Sequence, residues 1–290
     1  TEHAFRDESK NSIFNLVKLY QQIDYNEGLG STLGLTRGNF QWINGVKDSN
    51  VMFYPNPKGR FNISWVPPVH LQNSIQIKNG VRYPGNEHMG AFGCDSYDIS
   101  GTVDGLGSKG ALHLYNKFHI ENPSNMFVVE YASRPPLAKI FYEDVLMAAV
   151  FYGYPILIEN NKYGIARYFE SRGYDGYLMD RPKHLLTASA IKSKTKGIPS
   201  NSQDIIQAHA HAIEAFIHDH VGVNRETGEM GKMYFNKTLE DWIGYKIDDR
   251  TKYDLTISSG LALLGAQKAK TKKPSDLTEK RFFRRYQVIG

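Results

Sequence analysis

The stretch EYASRPPLAKIFYEDVLMAAVFYGYPILIENN, Glu130 to Asn161, decides how this chain is read. It begins in a short strand candidate, Met126 to Tyr131, which Pro135 and Pro136 cut off. Proline is tolerated at the first position of a helix, where the missing N–H has no partner in any case. A helical pattern then runs from Leu137 to Tyr152, with Ile140, Asp144, Val145, Ala148, Ala149 and Tyr152 recurring at helical spacing. A strand, Pro155 to Glu159, follows. Its centre, Ile156-Leu157-Ile158, is the continuous apolar run expected of a strand covered on both faces.

Upstream, Ala91 to Ile99 and Ala111 to Ile120 are further short strand candidates, set off by Gly-, Asn- and Pro-containing breaks. With Met126 to Tyr131 they suggest an antiparallel meander. Downstream lie a helix from Lys162 to Ser171, a short strand from Gly176 to Met179 and a Ser-, Thr- and Lys-rich loop from Thr187 to Ser202. Helical periodicity returns between Ser202 and His220 through Ile206, Ile213, Phe216 and Ile217, with Ser202 as its cap. Asn224 to Phe235 reads as a hairpin and Leu255 to Ala269 as a final helix. The order, βββαβα with a later helix, is the one associated with ribonuclease H-like folds. These are α/β proteins whose mixed central sheet is flanked by helices. Residues 1 to about 85 read as an irregular leading region, with a helical pattern at Ser12 to Ile23 and strand-like pieces near Val51 to Tyr54 and Phe61 to Val66.

With 290 residues, 41% of them hydrophobic and 12% aromatic, the chain can bury a full-sized core. A net charge of +5 and a pI near 9.0 lean toward an anionic partner such as nucleic acid. Cys94 is the single cysteine, which excludes an intramolecular disulfide and a four-cysteine zinc site and fits a reducing cytoplasm. The longest uncharged stretch, Val145 to Ile158, is too short to cross a bilayer, so no membrane partner is expected. Threonine opens the sequence without a basic, apolar leader, so no secretory signal is expected and the chain reads as an excised fragment.

Three acids stand where a metal-dependent phosphodiesterase would need them. Such hydrolysis uses divalent ions, two of them about 3.5–4 Å apart, to activate water and relieve the leaving oxygen. Hard ions such as Mg²⁺ take carboxylate oxygens gathered from several elements. Asp95 lies inside the strand candidate AFGCDSYDIS, where a buried charge must be paired or bind metal, although a turn or capping role beside Asp98 and Gly101 is also open. Glu159 ends the apolar strand, a common ligand position in α/β sheets. It is equally suited to the N-terminus of the following helix. Asp254 begins the helix of KYDLTISSGLALL, where an N-cap is the plain alternative.

The same strings resemble the nuclease motifs of tailed-bacteriophage terminase large subunits, in the right order. Gly93-Cys94-Asp95 resembles the family's first-strand acid motif, and Glu130 to Asn161 is similar to its second motif, a strand, a helix and an acid followed by Asn. YDLTISSGLALL resembles the closing acid at the start of a small-residue helix, with Tyr253 where the family has the first of two acids. EHAFR, Glu2 to Arg6, looks like the segment between the family's motor and nuclease domains. The resemblance spans roughly residues 90 to 268. It implies a nuclease domain over 89–270, preceded by an extension or linker (1–88) that would follow an ATPase domain, and ending in a basic tail (271–290). It also implies that Asp95, Glu159 and Asp254 hold two Mg²⁺ or Mn²⁺ ions and cleave double-stranded DNA with little sequence preference in the host-cell cytoplasm. A small terminase subunit and a portal protein would be its partners. Asp98 and Asp104 are candidates for a further acid that the family carries after the first, a place that Lys109 competes for. No phosphate-loop string occurs, and GLGSKG, Gly105 to Gly110, reads as a turn.

Other features carry less chemistry. His209, His211, His218 and His220 include pairs two residues apart, which point to different faces of a helix and chelate poorly. Cys94 reads as core. Lys192, Lys194 and Lys196, together with Lys109, are candidate phosphate contacts, and the tail from Lys268 to Arg285 is basic, with Phe282, Phe283 and Tyr286 in it. Two other functions use the same features: a transposase, integrase or resolvase of the same fold type, and a non-catalytic DNA- or portal-binding module in which the acids are caps.

Overall fold

The computed structural model describes residues 12–98, 109–117, 123–182, 185, 196–199 and 202–268. Helix α1 (Leu16–Leu29) opens where Asn15 Oδ1 accepts the Lys18 N–H at 3.2 Å, one turn later than the periodicity suggests, because the cap fixes the start. Strands β1 (Thr36–Trp42), β2 (Val51–Pro55) and β3 (Phe61–Ile63) follow, then a separate ribbon of β4 (Ile75–Lys78) and β5 (Val81–Pro84). Next come β6 (Gly90–Asp95), β7 (Gly110–Asn116), β8 (Met126–Ser133), helix α2 (Ala138–Tyr152) and β9 (Ile156–Ile158). Helices α3 (Gly164–Ser171), α4 (Gln203–His220), α5 (Asn236–Gly244) and α6 (Asp254–Lys268) complete the described part.

Seven strands form one mixed sheet in the order β2-β1-β3-β8-β7-β6-β9. Neighbours are antiparallel except β6 and β9. The β6-β7-β8 meander is the one the sequence predicts. Because α2 then carries the chain back across the sheet, β9 returns parallel to β6 and beside it. This is the expected ribonuclease H-like arrangement, a mixed sheet with the meander's first strand inside it and helices packed on its faces.

Alternation along β6 sorts its side chains between two cores. Phe92 and Cys94 join Leu112, Leu114, Tyr131 and the apolar face of α2 in one. On the other side Phe127 and Leu157 meet Ile213, Phe216, Trp242 and Leu261 from α4, α5 and α6. Gly93 decides how near α6 can come. A Cβ there would collide with the α6 backbone at Ser258 and Ala262, so only glycine permits this approach. Close packing of α6 on β6 brings the helix's first residue to the C-terminal end of the strand.

The leading region takes part in the sheet. β3 pairs with β8, Phe61 opposite Tyr131, and β1 and β2 extend the sheet beyond it. The sequence reading found β2 and β3 but passed over β1, whose TRGNFQW looks polar although Gly38, Phe40 and Trp42 alternate inward. β4 and β5 turn at Asn79 and Gly80, with φ of 52° and 79°, the Asn-Gly hairpin signal. Two local expectations are corrected. Gly176 to Met179 is a 3₁₀ turn (Asp175–Tyr177) with a single parallel bridge from Leu178 to Ile156, because the chain meets β9 at one residue only. Asn224 to Phe235 makes one bridge, Val223 to Met230, since Asn224 Oδ1 instead holds a tight turn through the N–H groups of Glu226 and Thr227. Among the described residues no helix is long and apolar enough to cross a membrane.

Candidate active site

Asp95 is the last residue of β6 and Glu159 directly follows β9, so the parallel pairing of these strands sets the two side by side. The Glu159 N–H extends the ladder by donating to Cys94 O at 3.1 Å. Asp254, the first residue of α6, accepts the backbone N–H of Lys109 at 2.8 Å, and Lys109 leads into β7 where Ala111 stands opposite Asp95. Three acids distant in sequence thus meet at one end of the sheet. Asp95 and Glu159 are buried.

Their electrostatics follow from this crowding. Burial, then the charge of Glu159, pushes the Asp95 carboxyl well above the usual carboxylate range; Lys162 opposes the shift and Asp254 adds to it. Asp254 is raised by burial against the pull of the Lys109 N–H and the charges of Lys162 and Lys109. Asp95 Oδ1 is buried without a hydrogen-bond partner. Lys162 Nζ is 3.6 Å from it, an ion-pair distance, and donates its hydrogen bond to Ser96 O instead. Arg250 Nη2 donates to Glu159 Oε1 at 3.0 Å.

The cations and one further acid escaped sequence reasoning. Lys162 lies three residues past Glu159, where the sequence predicts only the start of a helix; that helix begins at Gly164. Arg250 sits in the 3₁₀ segment Ile247–Lys252, and nothing local in KIDDR points to Glu159. Asp241 of α5 accepts both the N–H and the hydroxyl of Thr256 at 2.7 Å, satisfying the first turn of α6 from outside. Burial pushes its pKa up to about 6, with Asp254 adding to the shift.

Beneath the acids runs a buried polar chain. Thr238 donates to Glu130 Oε2 at 2.7 Å, and His113 bridges Thr238 Oγ1 (2.7 Å) and Ser258 Oγ (2.8 Å). Burial lowers the His113 pKa to about 3, so the ring is neutral. The chain ties β7 and β8 to α5 and to α6 one turn beyond Asp254.

Other singled-out residues lie elsewhere. Asp98 spends its oxygens on the Tyr142 hydroxyl (2.8 Å) and the Gly164 N–H (3.2 Å) at the start of α3. Lys196 is paired with Asp180 at 2.9 Å. Asp104, Lys192, Lys194, the EHAFR segment and the basic tail beyond Lys268 fall outside the described residues. His209 is buried against Ile257 O, its pKa lowered to about 4 mainly by burial, while His211 and His218 are exposed beside Glu214 and Asp219. Cys94 is buried, its thiol pushed up by burial and by Asp95, as suits a core residue.

Among the described residues no three His, Cys, Asp or Glu side chains stand as a ready metal cage. The acids nevertheless fit a hard divalent ion. Their donors are all oxygens, Asp95 Oδ1 is an orphaned buried acceptor, and two cations already compensate the charge that an ion would balance.

No family model and no curated protein sequence matches the chain. Among solved structures it is similar to a crystal structure of the large terminase nuclease from thermophilic phage G20c with bound zinc. There the identity is 10% and the TM-score 0.43 over 71% of this chain and 88% of that one. A second crystal structure of the same phage nuclease gives 8% identity and a TM-score of 0.42 over 71% of this chain and 89% of the other.

Proposed function

We propose that this chain is a divalent-metal-dependent endonuclease that cleaves double-stranded DNA with little sequence preference during phage genome packaging. The observation that carries the reading is the convergence of the buried Asp95 and Glu159 and the half-buried Asp254, from three separate elements, around a carboxylate oxygen that accepts no hydrogen bond. The resemblance of the three surrounding motifs to terminase large subunits supplies the biological setting, including a small terminase subunit and a portal as partners.

In this reading Asp95, Glu159 and Asp254 hold Mg²⁺ or Mn²⁺, which when bound supplies a nucleophilic water and charge relief for the leaving oxygen. The chain's own residues do the rest. Asp95, fixed by β6, and Glu159, fixed by β9, have almost no freedom to move apart, which keeps the oxygens oriented before DNA arrives. The Lys109 N–H and the Asp241–Thr256 contacts set the direction of Asp254. Lys162 and Arg250 bring positive charge to the place where a phosphate must approach three acids. Water forms a bond to phosphorus as the opposite P–O bond breaks, and the leaving oxygen takes up a proton.

The test is plasmid cleavage by the purified protein in EDTA, Mg²⁺ or Mn²⁺, with Asp95→Asn, Glu159→Gln and Asp254→Asn beside the wild type. Metal-dependent nicking or linearisation lost in all three variants is expected. Cutting that ignores metal or survives the substitutions removes the triad, and joined rather than hydrolysed products point to strand transfer.

A further inference from the structure

Beside the acids, where the N-terminal ends of α2 and α3 come together, lies an open groove of about 670 Å³. Lys139 and Leu137 line it from the start of α2; Tyr163 and Arg167 line it from α3 and the residue before it; Asp98 and Tyr142 close its inner wall. The geometry points to this groove as a track for the sugar–phosphate backbone of DNA leading to the acids, with Lys139 and Arg167 on phosphates and Tyr163 against a sugar. This rests on the endonuclease reading and adds to it a binding surface.

Three observations carry it. First, the groove lies near the acids: Tyr163 is the fourth residue after Glu159, a span of at most about 14 Å, and Lys162, which pairs with Asp95, lies between them in the chain. A DNA strand advances about 3.4 Å per phosphate along the duplex axis and more along the backbone itself, so the groove takes a backbone no more than about four nucleotides from the bond to be cut. Second, Lys139 and Arg167 are exposed and make no ion pair with any described residue, unlike Lys196, whose ammonium is held by Asp180. Third, Tyr163 is 57% exposed and Leu137 also 57%, and both line the same groove as the two cations, which suits a sugar face flanked by phosphates. The one carboxylate on the wall, Asp98, has both oxygens occupied by Tyr142 and Gly164, which lowers its repulsion of an incoming phosphate.

The experiment is fluorescence anisotropy of a labelled DNA duplex in EDTA over a salt series, so that binding is read without cleavage. Lys139→Glu with Arg167→Glu is compared with Lys58→Glu plus Lys78→Glu, exposed lysines outside the groove that give the same change in net charge. A thermal melt of each variant checks its folding. The groove variant is expected to bind at least tenfold more weakly and to lower the slope of log K against log salt by about 2, since each phosphate contact contributes about 0.9. Tyr163→Ala is expected to weaken binding with the slope unchanged. A groove variant that binds like the wild type, or no worse than the control, overturns the assignment, as does a wild type that binds no duplex. Weakened binding alongside absent metal-dependent cleavage would uphold the groove and reject the nuclease; intact cleavage with unchanged binding would do the reverse.

Discussion

Arg250 Nη2 stands 3.0 Å from Glu159 Oε1, so the cation that balances the acid at the end of β9 comes from the segment leading into the helix that carries Asp254. Both side chains are largely buried, at 16% and 11% exposure. With Arg250 removed, Glu159 loses its own cation and faces Asp95 with Lys162 alone to offset the two charges. Arg250→Gln is therefore expected to destabilise the metal-free protein by about 1–3 kcal/mol, below the cost of breaking a fully buried pair. Added Mn²⁺ should then raise the melting temperature more than it does in the wild type, because the ion now relieves an unbalanced charge. Equal melting temperatures and equal metal shifts would mean that the pair does not govern the site.

Asp241 gives a pH dependence with a definite sign. Its folded pKa, about 6, lies above the ordinary 3.8, so between these values the folded state binds more protons than the unfolded one. Its stabilising contribution is complete below about pH 4 and is lost as pH rises to about 6. The loss is at most about 3 kcal/mol at 1.36 kcal/mol per unit. Asp241→Asn keeps an acceptor for Thr256 and should remove this share of the pH slope. Urea unfolding at pH 4, 5, 6 and 7 measures it, and a slope unchanged by the substitution would reject the assignment.

His113 acts in the opposite sense. Burial lowers its pKa from 6.5 to about 3, so the unfolded state takes up a proton that the folded state refuses, and stability falls as pH drops below 6.5. The loss reaches about 2 kcal/mol by pH 5. In His113→Phe the Ser258 hydroxyl keeps Leu255 O and Thr238 keeps Glu130, so the cost at pH 7 is expected to be modest, about 1–2 kcal/mol. Denaturation at pH 7 and pH 5 should show the variant losing less than the wild type on acidification.

What the sequence made legible is what short-range pattern controls. β9 and α2 announce themselves through a continuous apolar run and a proline-led helical period; Glu159 is readable because it ends a strand, and Asp95 because it stands as a charge inside an apolar strand candidate, although β6 stops at Asp95 itself rather than running on to Ile99. Arg250 was invisible because its partner lies 91 residues away and the contact exists only once α6 has packed on β6. Asp241 was hidden likewise, its value depending on Thr256 across a helix–helix contact. α5 was missed because NKTLEDWIG offers only a short apolar stripe, of which Leu239 and Trp242 are buried.

The approach of α6 to β6 can be tested directly. A methyl group at Gly93 would strike backbone atoms of Ser258 and Ala262, which cannot yield as a flexible side chain can. Gly93→Ala is expected to cost about 1–3 kcal/mol as overpacking. It should also move Asp254 away from Asp95, so that metal-dependent cleavage falls at temperatures where the variant is still folded. Wild-type cleavage in a variant that melts lower would separate the packing from the site.

The three acids also set function against stability. Burial and the charges of Glu159 and Asp254 push the Asp95 carboxyl up, which means that its ionised form is held against the preference of the folded protein. Lys162 offsets part of this, yet it keeps Ser96 O as an acceptor when Asp95 is neutralised. Asp95→Asn preserves the shape and removes the repulsion. The metal-free variant is therefore expected to be more stable than the wild type by about 0.5–2 kcal/mol, the usual size of a stabilising substitution at a strained site. The same change should reduce cleavage in Mn²⁺ at least a hundredfold and abolish the upward shift in melting temperature that Mn²⁺ gives the wild type. A caps-only role for Asp95 makes the opposite forecast, lower stability with cleavage unaffected, so one thermal melt and one plasmid assay on this variant distinguish an acid held for chemistry from an acid held for structure.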